Sequence, residues 1–291
     1  MTHRLLCFGL GYSARYLAER LRRAGFAIVG TCRTPEGAAV LREAGVEPLI
    51  FDGQRPLAAE SFAGVSHVLS SIPPDADGDP AWRLHRDWFD AHAGALAWIG
   101  YLSTTGVYGD TGGGWVDETS PLSPSNDRSQ RRVLAEQQWL GLWRRHGAPV
   151  HIFRLPGIYG PGRSAIEQVR SGTARRVEKP GQVFSRIHVE DIAATLQASI
   201  DRPRGGAIYN VADDEPASSA DVIAYAFALL GQPVPPTIPY DQIASTMSPM
   251  ARSFYADSRR VRNARIKDEL GVRLAYPTYR EGLRAILKWT T

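Results

Sequence analysis

Residues 4–21 read RLLCFGLGYSARYLAERL, and this stretch decides the fold. Arg4–Phe8 is a short apolar run of the kind buried on both faces of a parallel sheet. Ala14, Leu17, Ala18 and Leu21 then recur at helical spacing through Ser13–Ala24, and Gly25 is placed to end the helix. Between strand and helix lies GLGYSA, residues 9–14. Small residues at such a turn let the backbone approach a pyrophosphate, and the helix N-terminus supplies amides and positive potential. Gly9, Gly11, Tyr12, Ser13 and Ala14 are therefore candidate dinucleotide-binding positions.

The rhythm continues outward. Strands are expected at Ala27–Thr31, Pro48–Phe51, His67–Ile72, Trp98–Ser103 and Val150–Leu155. Helices are expected at Ala38–Ala44 and Trp82–Ala97, and from the stretch 125–137 to about His146. Alternation of this kind over residues 1–155 predicts an α/β, Rossmann-type, doubly wound parallel sheet. After Pro156 the pattern becomes irregular: Gly157–Pro161 reads as loop, Ala165–Ser171 as a short helix and Phe184–Ile187 as a strand. Asp191–Ile200 reads as a helix and Ala207–Val211 as a strand. Residues 156–291 are thus expected to form a smaller C-terminal α/β substrate region, with about 185–212 returning to the Rossmann core.

Bulk composition removes several function classes. The 291 residues carry a net charge of +4, but only three of the 34 basic residues are lysine, and the arginines are spread along the chain. No basic block suggests a nucleic-acid partner. Cys7 and Cys32 lie in apolar runs and offer neither a disulfide framework nor metal-ligand spacing, and the seven histidines show no i, i+4 pair; no metal site is expected. No apolar run reaches about 18 residues, and the N-terminus is too short and glycine-broken for a signal peptide. A cytoplasmic protein with no membrane partner is expected.

The choice of dinucleotide is read at the end of the second strand, GTCRT, 30–34. An NAD site would want an acid there for the ribose hydroxyls, whereas Arg33 followed by Thr34 suits a 2′-phosphate. NADP is expected over NAD. Asp52, after the third strand, could receive the adenine amino group or simply close a turn. Ser70, Ser71 and Ile72 end the fourth strand, and Pro156 follows the sixth, at the carboxyl edge where ligands lie in such sheets.

Further on come LSTTGVYGDTGG (102–113), WVDETSPLSP (115–124), SNDRSQRRVLAEQ (125–137), FRLPGIYGPGR (153–163), SRIHVEDIA (185–193) and IYNVADDEPAS (208–218). In this order they resemble the extended or atypical short-chain dehydrogenase/reductase superfamily, in its NAD-dependent epimerase/dehydratase branch. The resemblance covers nearly the whole chain. It implies a Ser or Thr after the fifth strand and a Tyr-x-x-x-Lys pair on the next helix, beside the nicotinamide. The hydroxyl falls on Thr104. Counting back from Ala135-Glu136-Gln137, the lysine position falls on Arg132 and the tyrosine position on Arg128. The spacing survives and the proton carrier does not, because a guanidinium with a pKa above about 12 is no general base near neutrality.

The resemblance therefore implies an NADP-preferring oxidoreductase of epimerase/dehydratase type with a replaced catalytic pair, or a non-catalytic NADP-binding redox sensor. In the first case Thr104 would polarise a carbonyl and Arg128 would stabilise the developing oxyanion. Tyr108, Tyr159, Asp87 and Asp90 are alternative acid/base candidates. The cations at Arg163, Arg170, Arg175, Arg176, Lys179 and Arg186 could receive an anionic substrate, such as a nucleotide-linked sugar, or simply sample the chain's arginine richness. His188, Glu190 and Asp191 read as structural, capping a helix from Asp191 and joining the two regions. Trp82, Trp88, Trp98, Trp139 and Trp143 read as core and dimer faces. A homodimer through the helices flanking the fifth strand follows from the family analogy. Ser125 and Asp127 are the candidate caps of the helix that carries Arg128 and Arg132.

Overall fold

Side chains alternate along the first strand, β1 (Arg4–Phe8), and set the two layers of the molecule. Leu5 and Cys7 face one apolar cluster, Leu6 and Phe8 the other. The computed structural model describes residues 3–289. In it β1 is followed by α1 (Tyr12–Arg23), β2 (Ala27–Cys32), α2 (Pro35–Glu43), β3 (Glu47–Ile50) and β4 (His67–Ser70). Next come α3 (Pro80–Leu84), α4 (Arg86–His92), β5 (Trp98–Thr104), β6 (Trp115–Val116), α5 (Asp127–His146) and β7 (Val150–Leu155). The remainder supplies β8 (Gly157–Tyr159), α6 (Ala165–Arg170), β9 (Val177–Glu178), β10 (Arg186–His188), α7 (Val189–Asp201) and β11 (Ala207–Asn210). After these lie α8 (Ser219–Leu229), β12 (Ile238–Pro239), α9 (Tyr240–Ile243), α10 (Pro249–Ala256), β13 (Arg260–Val261), α11 (Ala264–Leu270) and α12 (Tyr279–Trp289).

Seven strands form the parallel central sheet in the order β3-β2-β1-β4-β5-β7-β11. The order reverses between β1 and β4, and a ligand crevice is expected above the strand ends at that point. One face buries α1 and α7 through Leu17, Leu21, Ile192 and Leu196. The other buries α4 and α5 through Phe89, Trp139 and Leu142. Trp98 and Trp139 lie in the core, whereas Trp143 is exposed. A separate cluster joins α6, α8 and α12 through Ile166, Val169, Val222, Ile223, Leu283 and Ile286.

Several expectations need correction. The helix expected at Trp82–Ala97 is two helices broken at His85. Asp79 Oδ1 accepts from Ala81 N at 2.8 Å and Pro80 opens the first turn, so it starts early. His85 Nε2 then accepts from Leu57 N at 2.8 Å, tying the break to a distant loop. Gly157–Pro161 is not all loop, since Gly157–Tyr159 pairs in parallel with Arg186–His188. Phe184 makes only an isolated bridge to Ala217, so the strand expected from Phe184 begins at Arg186. Neither Ser125 nor Asp127 caps α5. Asn126 does, accepting from Ser129 N at 3.0 Å, while Ser125 donates to Asp257. α7 starts at Val189, capped by His188, whose Nδ1 accepts from Glu190 N; Asp191 instead accepts from Ala275 N and Tyr276 N, tying α7 to the C-terminal segment. No helix among the described residues is long and apolar enough to cross a membrane.

Candidate functional site

The β1–α1 turn is shaped for close approach. Gly9 has φ +82°, and a Cβ there would lie 2.7 Å from Ile72 Cγ2. Its N–H donates to Thr31 Oγ1 at 2.8 Å, and Ser71 Oγ donates to its carbonyl. Gly11 caps α1 with no side-chain hydrogen bond, and a Cβ on it would meet nothing within 4 Å. The first amides of this 12-residue helix are therefore left for an external acceptor. Such an open, uncapped N-terminus is what a pyrophosphate needs.

Gly11, Tyr12, Ser13, Ala14, Ser71 and Pro156 line one cavity of about 610 Å³ together with Thr104, Arg128 and Arg132. Gly9 and Ile72 stand behind its wall and shape the turn. Arg33, Thr34 and Asp52 lie outside it, exposed at the ends of the paired strands β2 and β3. Thr34 caps α2, its Oγ1 accepting from Gly37 N at 3.2 Å. Asp52 Oδ1 accepts from Gln54 N at 2.8 Å, a turn role that holds its carboxyl below the ordinary range. Ser70 is buried and donates to Asp79 at 2.6 Å, so it belongs to the core.

At the other end of the cavity, Thr104 closes β5 and its Oγ1 accepts from Gly106 N at 3.1 Å. The hydroxyl also lines the cavity, where it could donate to a ligand. Arg132 Nη1 donates to Leu102 O at 2.6 Å and to Tyr101 OH at 3.1 Å, fixing the guanidinium against the end of β5. Arg128 reaches the cavity one turn earlier on α5. Its partial burial, and the guanidiniums of Arg132 and Arg163, lower its pKa from the ordinary arginine value. The cavity gathers positive charge around a threonine hydroxyl, an arrangement that can stabilise an oxyanion.

The alternative acid/base candidates do not line this cavity. Tyr108 is buried, donates to Asn210 Oδ1 at 2.8 Å and accepts from Arg154 Nη1 at 2.9 Å. Arg154 also pairs with Glu136 at 2.7 Å, which accepts from Ser103 as well. Burial works against the Arg154 charge, but Glu136 more than restores it and its pKa is raised. Tyr159 donates to Thr278 O at 3.3 Å, and burial pushes its hydroxyl pKa up. Asp87 is exposed on α4, and Asp90 pairs there with Arg145 at 2.7 Å, both away from the cavity.

Of the six cations in the 163–186 stretch, only Arg163 and Arg186 line the cavity. Arg186 is occupied by the carbonyls of Phe184, Ala217 and Ser218. Arg176 donates to Pro235 O and Lys179 to Tyr255 O, while Arg170 and Arg175 are exposed. Ser129, Phe254, Tyr255, Asp257 and Arg259, not among the residues expected from sequence, also line the cavity. Ser129 sits where the tyrosine-position turn of α5 meets Gly106. The other four come from the end of α10 and its sequel, more than a hundred residues from α5, and no local pattern marks them.

Known proteins share this geometry in part or whole. The NAD dependent epimerase/dehydratase family matches residues 90–212. The structure of a functionally unknown conserved protein from Silicibacter pomeroyi is 52% identical, covers 99% of both chains and superposes with a TM-score of 0.91. Protein YeeZ of Escherichia coli is 29% identical over 213 residues, 70% of this chain and 75% of its own. The fold is also that of dTDP-glucose 4,6-dehydratase from Bacillus anthracis, solved in complex with NAD, at a TM-score of 0.78 and 15% identity over 100% of this chain and 96% of that one.

Proposed function

We propose that the chain, whose residues 90–212 match the NAD dependent epimerase/dehydratase family, is an NADP-preferring oxidoreductase of that family acting on a small carbonyl or sugar substrate. One observation carries the reading. The open N-terminus of α1 and the Thr104–Arg128 pair line the same cavity.

The residues present fit the coenzyme. Amides of Tyr12 and Ser13 would hold its pyrophosphate beside Gly11, where a side chain would stand in the way. Arg33, exposed and without an ion pair among the described residues, would meet the 2′-phosphate, with Thr34 and Asp52 flanking the adenosine. Arg132, fixed by Leu102 O, would lie at the nicotinamide ribose. When bound, the reduced nicotinamide supplies a hydride.

For the substrate, Thr104 donates a hydrogen bond to the carbonyl oxygen and Arg128 places a full positive charge beside it. Both interactions strengthen as that oxygen becomes an alkoxide, so they favour the transition state over the ground state. The final proton comes from water, because neither guanidinium releases one near neutrality. A homodimer through α4 and α5 is part of the same reading, tested by sedimentation of the purified chain. The catalytic reading is tested by following NADPH oxidation across a panel of carbonyl compounds and sugar nucleotides. Oxidation by at least one compound is expected. A protein that binds NADPH yet oxidises it with none would instead fit the redox-sensor reading.

A further inference from the structure

Five arginines line the cavity, Arg128, Arg132, Arg163, Arg186 and Arg259, against the single carboxylate of Asp257. Three of the five are already engaged. Arg132 holds Leu102 O, Arg186 holds three carbonyls, and Arg259 pairs with Asp257 at 3.1 Å. Arg128 and Arg163 have neither a carboxylate within ion-pair distance nor a side-chain hydrogen bond to the rest of the described chain. Both guanidiniums line one cavity, and the charge of Arg163 acts on Arg128, lowering its pKa, a repulsion that an entering anion would relieve.

The loop that carries Arg163 is fixed in advance. Gly160 and Arg163 exchange backbone hydrogen bonds at 3.2 and 3.0 Å. Tyr12 OH donates to Pro161 O at 3.0 Å, latching this turn onto the start of α1. A Cβ at Gly160 would lie 2.5 Å from that hydroxyl, so only glycine permits the latch. The Arg163 guanidinium rests over the Tyr12 ring, 5.9 Å from its centre. Arg163 also lines a second cavity of about 500 Å³, whose apolar walls include Val222, Ile223 and Leu283. Ile158, Arg163, Gln168, Arg186 and Ser219 belong to both cavities, so the two adjoin at Arg163.

We propose that Arg128 and Arg163 form a clamp for one anionic oxygen group, a carboxylate or a phosphate, on the substrate. The inference rests on the oxidoreductase reading above for what happens next to the anion, but not for the anion site itself. The clamp places the charged group between Thr104 and the mouth of the apolar cavity. The substrate is then a carbonyl compound with an acidic group near its reacting end, its uncharged remainder directed past Arg163. Arginine suits this role because its planar fork binds such oxygens through paired hydrogen bonds.

The test is calorimetric titration of the NADPH-saturated protein with oxalate and, separately, with inorganic phosphate at low ionic strength. At least one should bind with one-to-one stoichiometry, and which one binds distinguishes a carboxylate from a phosphate clamp. Arg128→Ala and Arg163→Ala should each weaken that binding about tenfold or more, the loss of a charge-assisted partner. Arg170→Ala, on the exposed side of α6, should leave it unchanged. Arg128→Lys and Arg163→Lys, which keep the charge but lose the fork, should fall between, and thermal melts check that each variant is folded. The proposal is overturned if neither anion binds, if both alanine variants bind as the wild type does, or if NADPH displaces the anion. Displacement would assign the two arginines to the coenzyme. Should NADPH itself fail to bind, the oxidoreductase reading falls, and titration of the ligand-free protein still decides the clamp.

Discussion

Arg154 and Arg128 stand on adjoining elements, β7 and α5, and meet opposite fates. Arg154 is 2% exposed, paired with Glu136 and bonded to Tyr108, so each of its three side-chain nitrogens has a partner within the protein. Arg128 is exposed to the cavity, faces two other cations and has no carboxylate partner among the described residues. The first arrangement holds β5, β7 and α5 together under the site. The second leaves charge available to a ligand. Sequence position alone does not separate them, because both are arginines in a chain full of arginines.

The sharpest way to break this comparison is to remove a partner on the buried side. Glu136→Ala strands the Arg154 charge in the core and should destabilise the protein by about 3–5 kcal/mol in urea unfolding. A loss below about 1 kcal/mol would mean that the pair is not structural. On the cavity side, Thr104→Ala should lower kcat with any active carbonyl compound by roughly 10²–10³, as removal of one oxyanion donor does elsewhere. Undiminished turnover would take Thr104 out of the mechanism. Gly9→Ala comes next. It forces a positive φ on a side chain and drives a methyl toward Ile72, which should lower stability by about 1–3 kcal/mol and weaken NADPH binding.

A smaller effect is expected from acid. His67, His151 and His188 are held neutral by burial, which lowers each pKa to about 4. The unfolded chain takes up these protons near the ordinary value of about 6.5, so it binds more protons than the native state below that pH. Stability should be fully present above about pH 6.5 and decline as pH falls toward 4. Unfolding midpoints measured over that range check it, and a flat profile would contradict the burial of these imidazoles. Smallest of all, Arg128→Ala should change stability by no more than about 0.5 kcal/mol, because the side chain supports nothing. A large loss there would erase the distinction between the two arginines.

The sheet was legible because its inner strands are buried on both faces and carry short apolar runs, as in LLCF of β1. α1 was legible from its apolar spacing and the glycines before it. Three-residue strands were not: Gly157–Tyr159 lies in a glycine- and proline-rich stretch, and only its partner Arg186–His188 makes it a strand. The break at His85 depends on a bond to Leu57, which no local pattern records. In the site, Thr104, Arg128 and Arg132 were legible because their spacing along β5 and α5 resembles a known motif. The roles of Tyr108 and Arg163 were not, since one is set by Asn210 and Arg154 and the other by a latch to Tyr12. Contacts between distant segments decide which of several similar side chains is free.

The proposed coenzyme site runs from this cavity to Arg33, whose guanidinium would meet the 2′-phosphate. Parallel fluorescence titrations of the wild-type protein with NADPH and NADH test it most directly, with Arg33→Ala as the matched variant. NADPH should bind at least about tenfold more tightly, and the variant should lose most of this preference. Equal or tighter binding of NADH by the wild type, or no binding of either, would contradict it.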